Sequence, residues 1–121
     1  MEKFRFLKWS VYKESQDLFT LIIRVIDKIP REYRFELGNQ IIRSSFSVVL
    51  NIAEGSGKNS DRELNRFFEI ALGSLYETLA GIDTLRHNGF ITYNEFDGIF
   101  DRIDNISKQI GGFKKKLSRS H

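Results

Sequence analysis

The last third of the chain places Phe96, Ile99, Ile103, Ile106, Ile110, Phe113 and Leu117 at steps of three and four without a miss. An α-helix turns once in about 3.6 residues, so this spacing lines one face of one long helix. The alternation of threes and fours is also the seam of helices packed side by side in a bundle. A helix with such a stripe needs partners to cover it.

Three earlier segments supply them. Val11, Leu18, Ile22, Val25 and Ile29 predict a helix over about 8–29. Pro30 closes it, because the proline ring disfavours helical geometry in the residue before it. Leu37, Ile41, Ser45, Val48 and Ile52 predict a second helix over about 35–54. The run Glu54-Gly55-Ser56-Gly57-Lys58-Asn59 breaks it, glycine suiting the left-handed residue that ends a helix. Leu64, Phe67, Ala71, Leu75, Thr78, Ile82 and Leu85 predict a third over about 61–87, stopped by His87-Asn88-Gly89; the fourth covers about 93–117. Ser60-Asp61-Arg62-Glu63 and Thr92-Tyr93-Asn94-Glu95 read as capping boxes, in which hydroxyl and carboxylate satisfy the first free amides of a helix. Three short connections make neighbours antiparallel. The expected fold is all-α, an up-down-up-down four-helix bundle forming one domain over residues 1–121, with a basic C-terminal tail.

Composition closes off several functions. The chain has no Cys, so disulfides and thiolate metal sites are impossible, which suits a cytoplasmic location. Charges interrupt the N-terminus where a signal peptide needs an apolar stretch. The apolar run from Leu18 to Val25 is broken by Thr20 and Arg24. No membrane span is expected, and the protein reads as soluble. The only histidines, His87 and His121, lack a nucleophile partner and metal-ligand spacing. A di-iron bundle needs Glu-x-x-His twice, whereas Glu77 is followed three residues later by Ala80. Gly55-Ser56-Gly57-Lys58-Asn59 lacks phosphate-loop spacing. The expectation is a non-enzyme without cofactor or metal.

Helices one and two carry more apolar surface than one stripe requires. Tyr12, Phe19, Ile23 and Ile26 lie beside the first stripe, and Ile42, Phe46, Val49 and Ala53 beside the second. Another subunit would cover them, with Tyr12, Phe19, Ile23, Ile42, Phe46 and Val49 at the interface; the alternative is one wide core-facing surface. Gln40, Ser44, Ser47, Asn51 and Glu54 form a polar line on helix two. Antiparallel register brings Glu54 near Arg62, Asn51 near Arg66, and Arg43 within reach of Glu69 or Glu77, a network read as register-fixing. Gly73 and Gly81 are expected to allow close helix approach.

Charge points to a partner class. Lys114, Lys115, Lys116 and Arg119 crowd the C-terminus, and Lys3, Arg5, Lys8 and Lys13 alternate with Phe4, Phe6 and Trp9 near the N-terminus. Lys58, Arg62 and Arg66 gather where helix three starts, its free amides favouring anions. Those three could hold a backbone phosphate, or be ordinary solvated cations beside a glycine turn; an even number of spans returns both termini to one end of the bundle, so the two terminal segments can form one nucleic-acid patch. The alternatives are a solvated tail and aromatics packed over the bundle end.

Gln40-Ile41-Ile42-Arg43-Ser44-Ser45, Asn51-Ile52-Ala53-Glu54-Gly55-Ser56-Gly57 and Arg66-Phe67-Phe68-Glu69-Ile70-Ala71-Leu72-Gly73-Ser74-Leu75-Tyr76-Glu77 carry a resemblance. From about Trp9 to Lys116 the sequence resembles the bacterial four-helix bundle proteins encoded by intervening sequences in 23S ribosomal RNA genes. The resemblance implies an up-down bundle assembling as a ring-shaped homopentamer. A related group, the accessory variability proteins of diversity-generating retroelements, binds reverse transcriptase and nucleic acid through a basic surface, so RNA, DNA and a reverse-transcriptase-like partner are the implied contacts. Arg43, Asn51, Glu54 and Glu77 match recurring polar positions, while Ser44-Ser45-Phe46 departs from the usual small apolar residues. The functional expectation is an oligomeric nucleic-acid-binding or ribonucleoprotein accessory protein, against a protein-interaction scaffold with no nucleic-acid role.

Overall fold

A computed structural model describes residues 3–119, with side chains through Leu117; the side chain of Arg119 and all of His121 lie outside the described residues. Four long helices are present: α1 (Ser10–Ile26), α2 (Asn39–Ser56), α3 (Asp61–His87) and α4 (Tyr93–Arg119). No strand occurs among the described residues. Each helix packs on the two beside it, in the order α1, α2, α3, α4 and back to α1.

Contacts at opposite ends fix the directions. Trp9, just before α1, has its ring 5.1 Å from Phe113 late in α4, while Lys28, just after α1, reaches Glu95 at the start of α4 at 2.9 Å. Ser44 meets Thr78 and Ser47 meets Ser74, so α2 and α3 also run oppositely. Phe19 and Phe46 have rings 5.2 Å apart, and the Gly38 backbone lies against Ile26. Arg86 reaches Tyr93 across the last turn, and Phe68 packs on Phe113 at the other end, ring centres 5.0 Å apart. All four neighbouring pairs are antiparallel.

The stripes of α1, α3 and α4 form the interior. Leu18, Ile22, Leu75, Ile82, Ile106 and Ile110 are fully covered, as are Val48 and Ile52 of α2. Each such side chain is stabilising by about 1.5–3 kcal/mol relative to an exposed one. Ser15, Ser44, Ser45, Ser56 and Thr78 are also buried, and each hydroxyl bonds to a backbone carbonyl within its own helix, so none is left unsatisfied. The Ser44 and Thr78 hydroxyl oxygens also lie 2.7 Å apart, so one of the two shares its single proton between the other hydroxyl and its own helix carbonyl, and Ser47 and Ser74 bond at 2.9 Å, giving a hydroxyl ladder between α2 and α3.

Several local expectations are corrected. Helix one ends at Ile26, not Ile29: Lys28 and Ile29 turn back onto the carbonyls of Val25 and Ile26, tightening the chain before Pro30. Pro30 then starts a helical turn, Arg31–Tyr33, followed by a π-helical stretch, Arg34–Gly38. The wider π turn shifts the register, and Leu37, expected in the core stripe, stands 43% exposed. Gly55 does not break α2: it lies inside the helix, where a Cβ would sit 2.8 Å from the Cβ of Phe67. Gly57 closes α2 with φ −88°, not a left-handed angle. The left-handed closure occurs at Gly89, φ 76°, with Phe90 N bonded to Leu85 O and Gly89 N to Arg86 O. Gly81 does allow close approach, its Cα facing Ile41, but Gly73 opens onto empty space.

Candidate nucleic-acid interface

The end of the bundle where α1 begins, α2 meets α3 and α4 finishes gathers cations from three separate stretches of sequence. Residues 3–8 curl as a short turn, Arg5–Lys8, against the end of α2. Arg5 Nε donates to the carbonyl of Ser56 at 3.1 Å, and its guanidinium lies 5.2 Å from the Trp9 ring centre. Trp9 packs on Phe113 and Phe68, so the aromatic cap expected over the bundle end is partly built. Phe6 meets the edge of Tyr12 at 4.8 Å, whereas Phe4 projects outward, 68% exposed.

The α2–α3 turn adds Lys58, Arg62 and Arg66. Lys58 and Arg66 both lie over the Phe67 ring, at 5.0 and 4.6 Å. Such contacts hold the charged head over the ring face without neutralising it. Arg66 also donates to Glu63 at 2.8 Å. That bond holds the Glu63 carboxyl below its ordinary range and raises the Arg66 guanidinium. Ser60 caps α3 by accepting from Glu63 N at 3.1 Å, but the Glu63 carboxylate is turned to Arg66. At the end of α4, Lys114 pairs with Glu69, while Lys115 and Lys116 are exposed.

Nine of the ten cations singled out in the sequence, all but Arg119, therefore stand at one end: Lys3, Arg5, Lys8, Lys58, Arg62, Arg66, Lys114, Lys115 and Lys116. Among the described residues, the carboxylates set among these cations are Glu54, Asp61, Glu63 and Glu69, four against nine.

The register-fixing network takes another form. Asn51 donates to Ser47 O and Oγ, at 2.8 and 3.0 Å, instead of reaching Arg66. Glu54 faces Arg66, whose charge it supports, and Glu69 takes Lys114. Arg43 and Glu77 are exposed, without an ion pair among the described residues. Interhelical register between α2 and α3 is held by the serine–threonine ladder instead, because the facing side chains there are too short and buried to carry charge.

The second stripes divide. Val49 is 6% exposed and Ile26 3%, so both are already covered within the chain, and Val49 has no surface left for a partner. Tyr12, Phe19 and Ile42 are half-buried, Phe19 packing on Phe46. Ile23 and Phe46 each remain 44% exposed, and the strip continues to Phe35 at one end and Leu50 at the other. Phe35 and Leu50 were not singled out in the sequence, since the π turn that exposes Phe35 has no periodic signal.

Sequence reasoning also missed a polar cluster between α1 and α4. Glu14 accepts from Arg102 at 3.2 Å, and from Asn105 and Gln109; Asp17 takes Arg102 as well, at 3.4 Å. The available signal was a Glu14–Asp17 pair three apart, and Arg102, Asn105 and Gln109 at helical spacing on α4. Among the described residues, no group of three His, Asp or Glu is placed to hold a metal, and no helix is long and apolar enough to cross a membrane.

Residues 8–112 match the family of the 23S rRNA-intervening sequence protein. The chain belongs to that family. No curated protein matches it. Among solved structures it is similar to a protein of unknown function from the S23 ribosomal protein family of Bacteroides thetaiotaomicron, with a TM-score of 0.76 and 24% identity over 83% of this chain and 94% of that one. That likeness supports the four-helix fold. Within this family member, the Asn51–Gly57 segment that carried the resemblance is the end of α2, packed by Gly55 against Phe67 of α3.

Proposed function

We propose that this chain is a non-enzymatic, self-associating bundle that holds the backbone of RNA or DNA at its basic end. The observation that carries this reading is the convergence of nine cations from three stretches of sequence, set among four carboxylates of the described residues. Glu63 and Glu69 engage Arg66 and Lys114, which leaves Lys58, Arg62 and Lys115 exposed on neighbouring elements. Spread charge of this kind suits a phosphate chain, since affinity grows with the number of phosphates neutralised together. The family's name makes RNA the first nucleic acid to try.

The exposed strip of Ile23, Phe35, Phe46 and Leu50 on the α1–α2 side supports self-association. A homo-oligomer, the pentamer implied by the resemblance, repeats the basic end and multiplies its contacts.

Binding of a short labelled RNA, followed by anisotropy across salt concentrations, tests the reading. Affinity for a single-stranded RNA falls by about 300-fold or more between 50 and 200 mM salt if roughly six or more phosphates are contacted. Binding that ignores salt, or none at low salt, overturns it and favours the scaffold. Solution mass tests the second part: a monomer at micromolar concentration removes the self-association.

A further inference from the structure

Beside the basic end lies a cleft of about 580 Å³ between the N-terminal turn and the α2–α3 turn, lined among others by Phe4, Arg5, Leu50, Glu54, Lys58 and Asn59. Its volume is that of a small-ligand site, which runs to roughly 300–1,000 Å³. We infer that this cleft takes a single unpaired base of a nucleic-acid strand, stacked on Phe4, with the adjoining phosphate on Lys58. The inference rests on the nucleic-acid reading above and deepens it, from phosphate contact to selection of single strands.

Three observations carry it. First, Phe4 is the only non-glycine residue with positive φ among the described residues, at φ 56° and ψ 47°. Side chains disfavour that conformation, so the surrounding bonds must hold it. Leu7 N donates to Phe4 O at 3.1 Å, and the next residue, Arg5, is tied to Ser56 and laid on Trp9. Second, this anchoring presents the Phe4 ring to solvent instead of packing it, although Phe6 and Trp9 on the same turn are packed. A flat apolar ring held outward beside a cleft is the platform on which bases stack, whatever their identity. Third, the walls are polar in the right places. Lys58 supplies the cation for a phosphate, and the Glu54 carboxylate and Asn59 amide offer hydrogen bonds to a base edge. A base inside a duplex is covered on both faces and cannot enter.

The full-length protein is titrated with a short single-stranded RNA and with an abasic phosphodiester strand of the same length and charge. The RNA binds about tenfold more tightly than the abasic strand, the gain from one stacked base. Phe4→Ala removes that difference and leaves abasic affinity unchanged, while Phe4→Tyr, which keeps a ring, restores it. Equal affinity of the unmodified protein for the two strands, or a preference that survives Phe4→Ala, overturns the cleft assignment alone. Failure to bind either strand at low salt overturns the nucleic-acid reading itself.

Discussion

At the α3–α4 turn, Thr92 Oγ1 accepts from Glu95 N at 3.1 Å while Glu95 Oε1 accepts from Thr92 N at 2.8 Å, and Lys28 adds an ion pair at 2.9 Å. The α2–α3 turn begins with the same motif, Ser60 to Glu63, yet only the hydroxyl half of the box forms, because Arg66 draws the Glu63 carboxylate away. The first end is closed further by Arg86, which pairs with Asp83 and lies over Tyr93 and Phe96. At the second end cations outnumber carboxylates, and charges stay on the surface. At the first end Lys28 and Glu95, and Arg86 and Asp83, engage each other; at the second Arg66 and Lys114 are paired, while Lys58, Arg62 and Lys115 stand exposed on neighbouring elements. A local motif thus sets which amide the hydroxyl caps, whereas neighbouring charge decides where the flexible carboxylate goes.

The largest test concerns what supports the basic end. Phe68 is fully buried and meets both Trp9 and Phe113, so Phe68→Ala lowers stability by about 3–5 kcal/mol in chemical denaturation. Trp9 fluorescence reports loosening there before global unfolding. Leu85→Ala near the closed end costs about 2–5 kcal/mol without that early Trp9 change. A Trp9 response to both variants erases the distinction between the ends.

Charge reversal comes next. Lys58→Glu with Arg62→Glu weakens binding of a short RNA by about a hundredfold at low salt, and Arg24→Glu with Arg31→Glu near the other end leaves it within about twofold. Equal losses would mean that net charge, not the built end, holds the ligand.

Glycines sharpen the contrast in packing. Gly55→Ala drives a methyl against the Cβ of Phe67, which cannot swing away, and costs about 1–3 kcal/mol. Gly73→Ala meets nothing and raises stability by about 0.5–1 kcal/mol through helix propensity. Thermal melts of the two variants move in opposite directions.

The smallest effect separates the caps. Thr92→Ala and Ser60→Ala each cost about 1 kcal/mol, since both hydroxyls accept the amide three residues on at 3.1 Å, so the two caps differ in the carboxylate half. The Glu95 carboxyl is held below its ordinary value of 4.5, first by the Thr92 amide and then by Lys28. A depressed folded pKa means that this contribution is present above that value and is lost as pH falls through the lower folded one. The stability difference between the parent and Glu95→Gln therefore shrinks below about pH 4.5. A constant difference across acid pH would show that Glu95 is not held by these bonds.

Much of the fold is legible in the residues. All seven stripe positions of α3, from Leu64 to Leu85, are buried, and the α4 seam lies inward at every position from Ile99 to Ile110. Those helices are regular, so periodicity maps directly to facing. Leu37 fails because the π stretch inserts a wide turn that no apolar spacing records. The ten cations are legible in the chain, and the even number of helices brings the two terminal groups to one end; their partners are not, because Glu69–Lys114 and Arg5–Ser56 join residues distant in sequence. The outward ring of Phe4 was equally invisible, since a left-handed angle at a phenylalanine has no signature in composition.

The sequence by itself determined four helices, their order and antiparallel sense, and the end at which basic residues collect, because apolar spacing and short connections act locally and cooperatively. Only the tertiary structure decided that α2 and α3 are registered by hydroxyls and not by ion pairs, that Val49 is covered while Ile23 and Phe46 are not, and that a cleft opens beside Phe4. These depend on distances between side chains on different helices, which are settled by how closely each backbone approaches its neighbour, as where Gly55 lets Phe67 in.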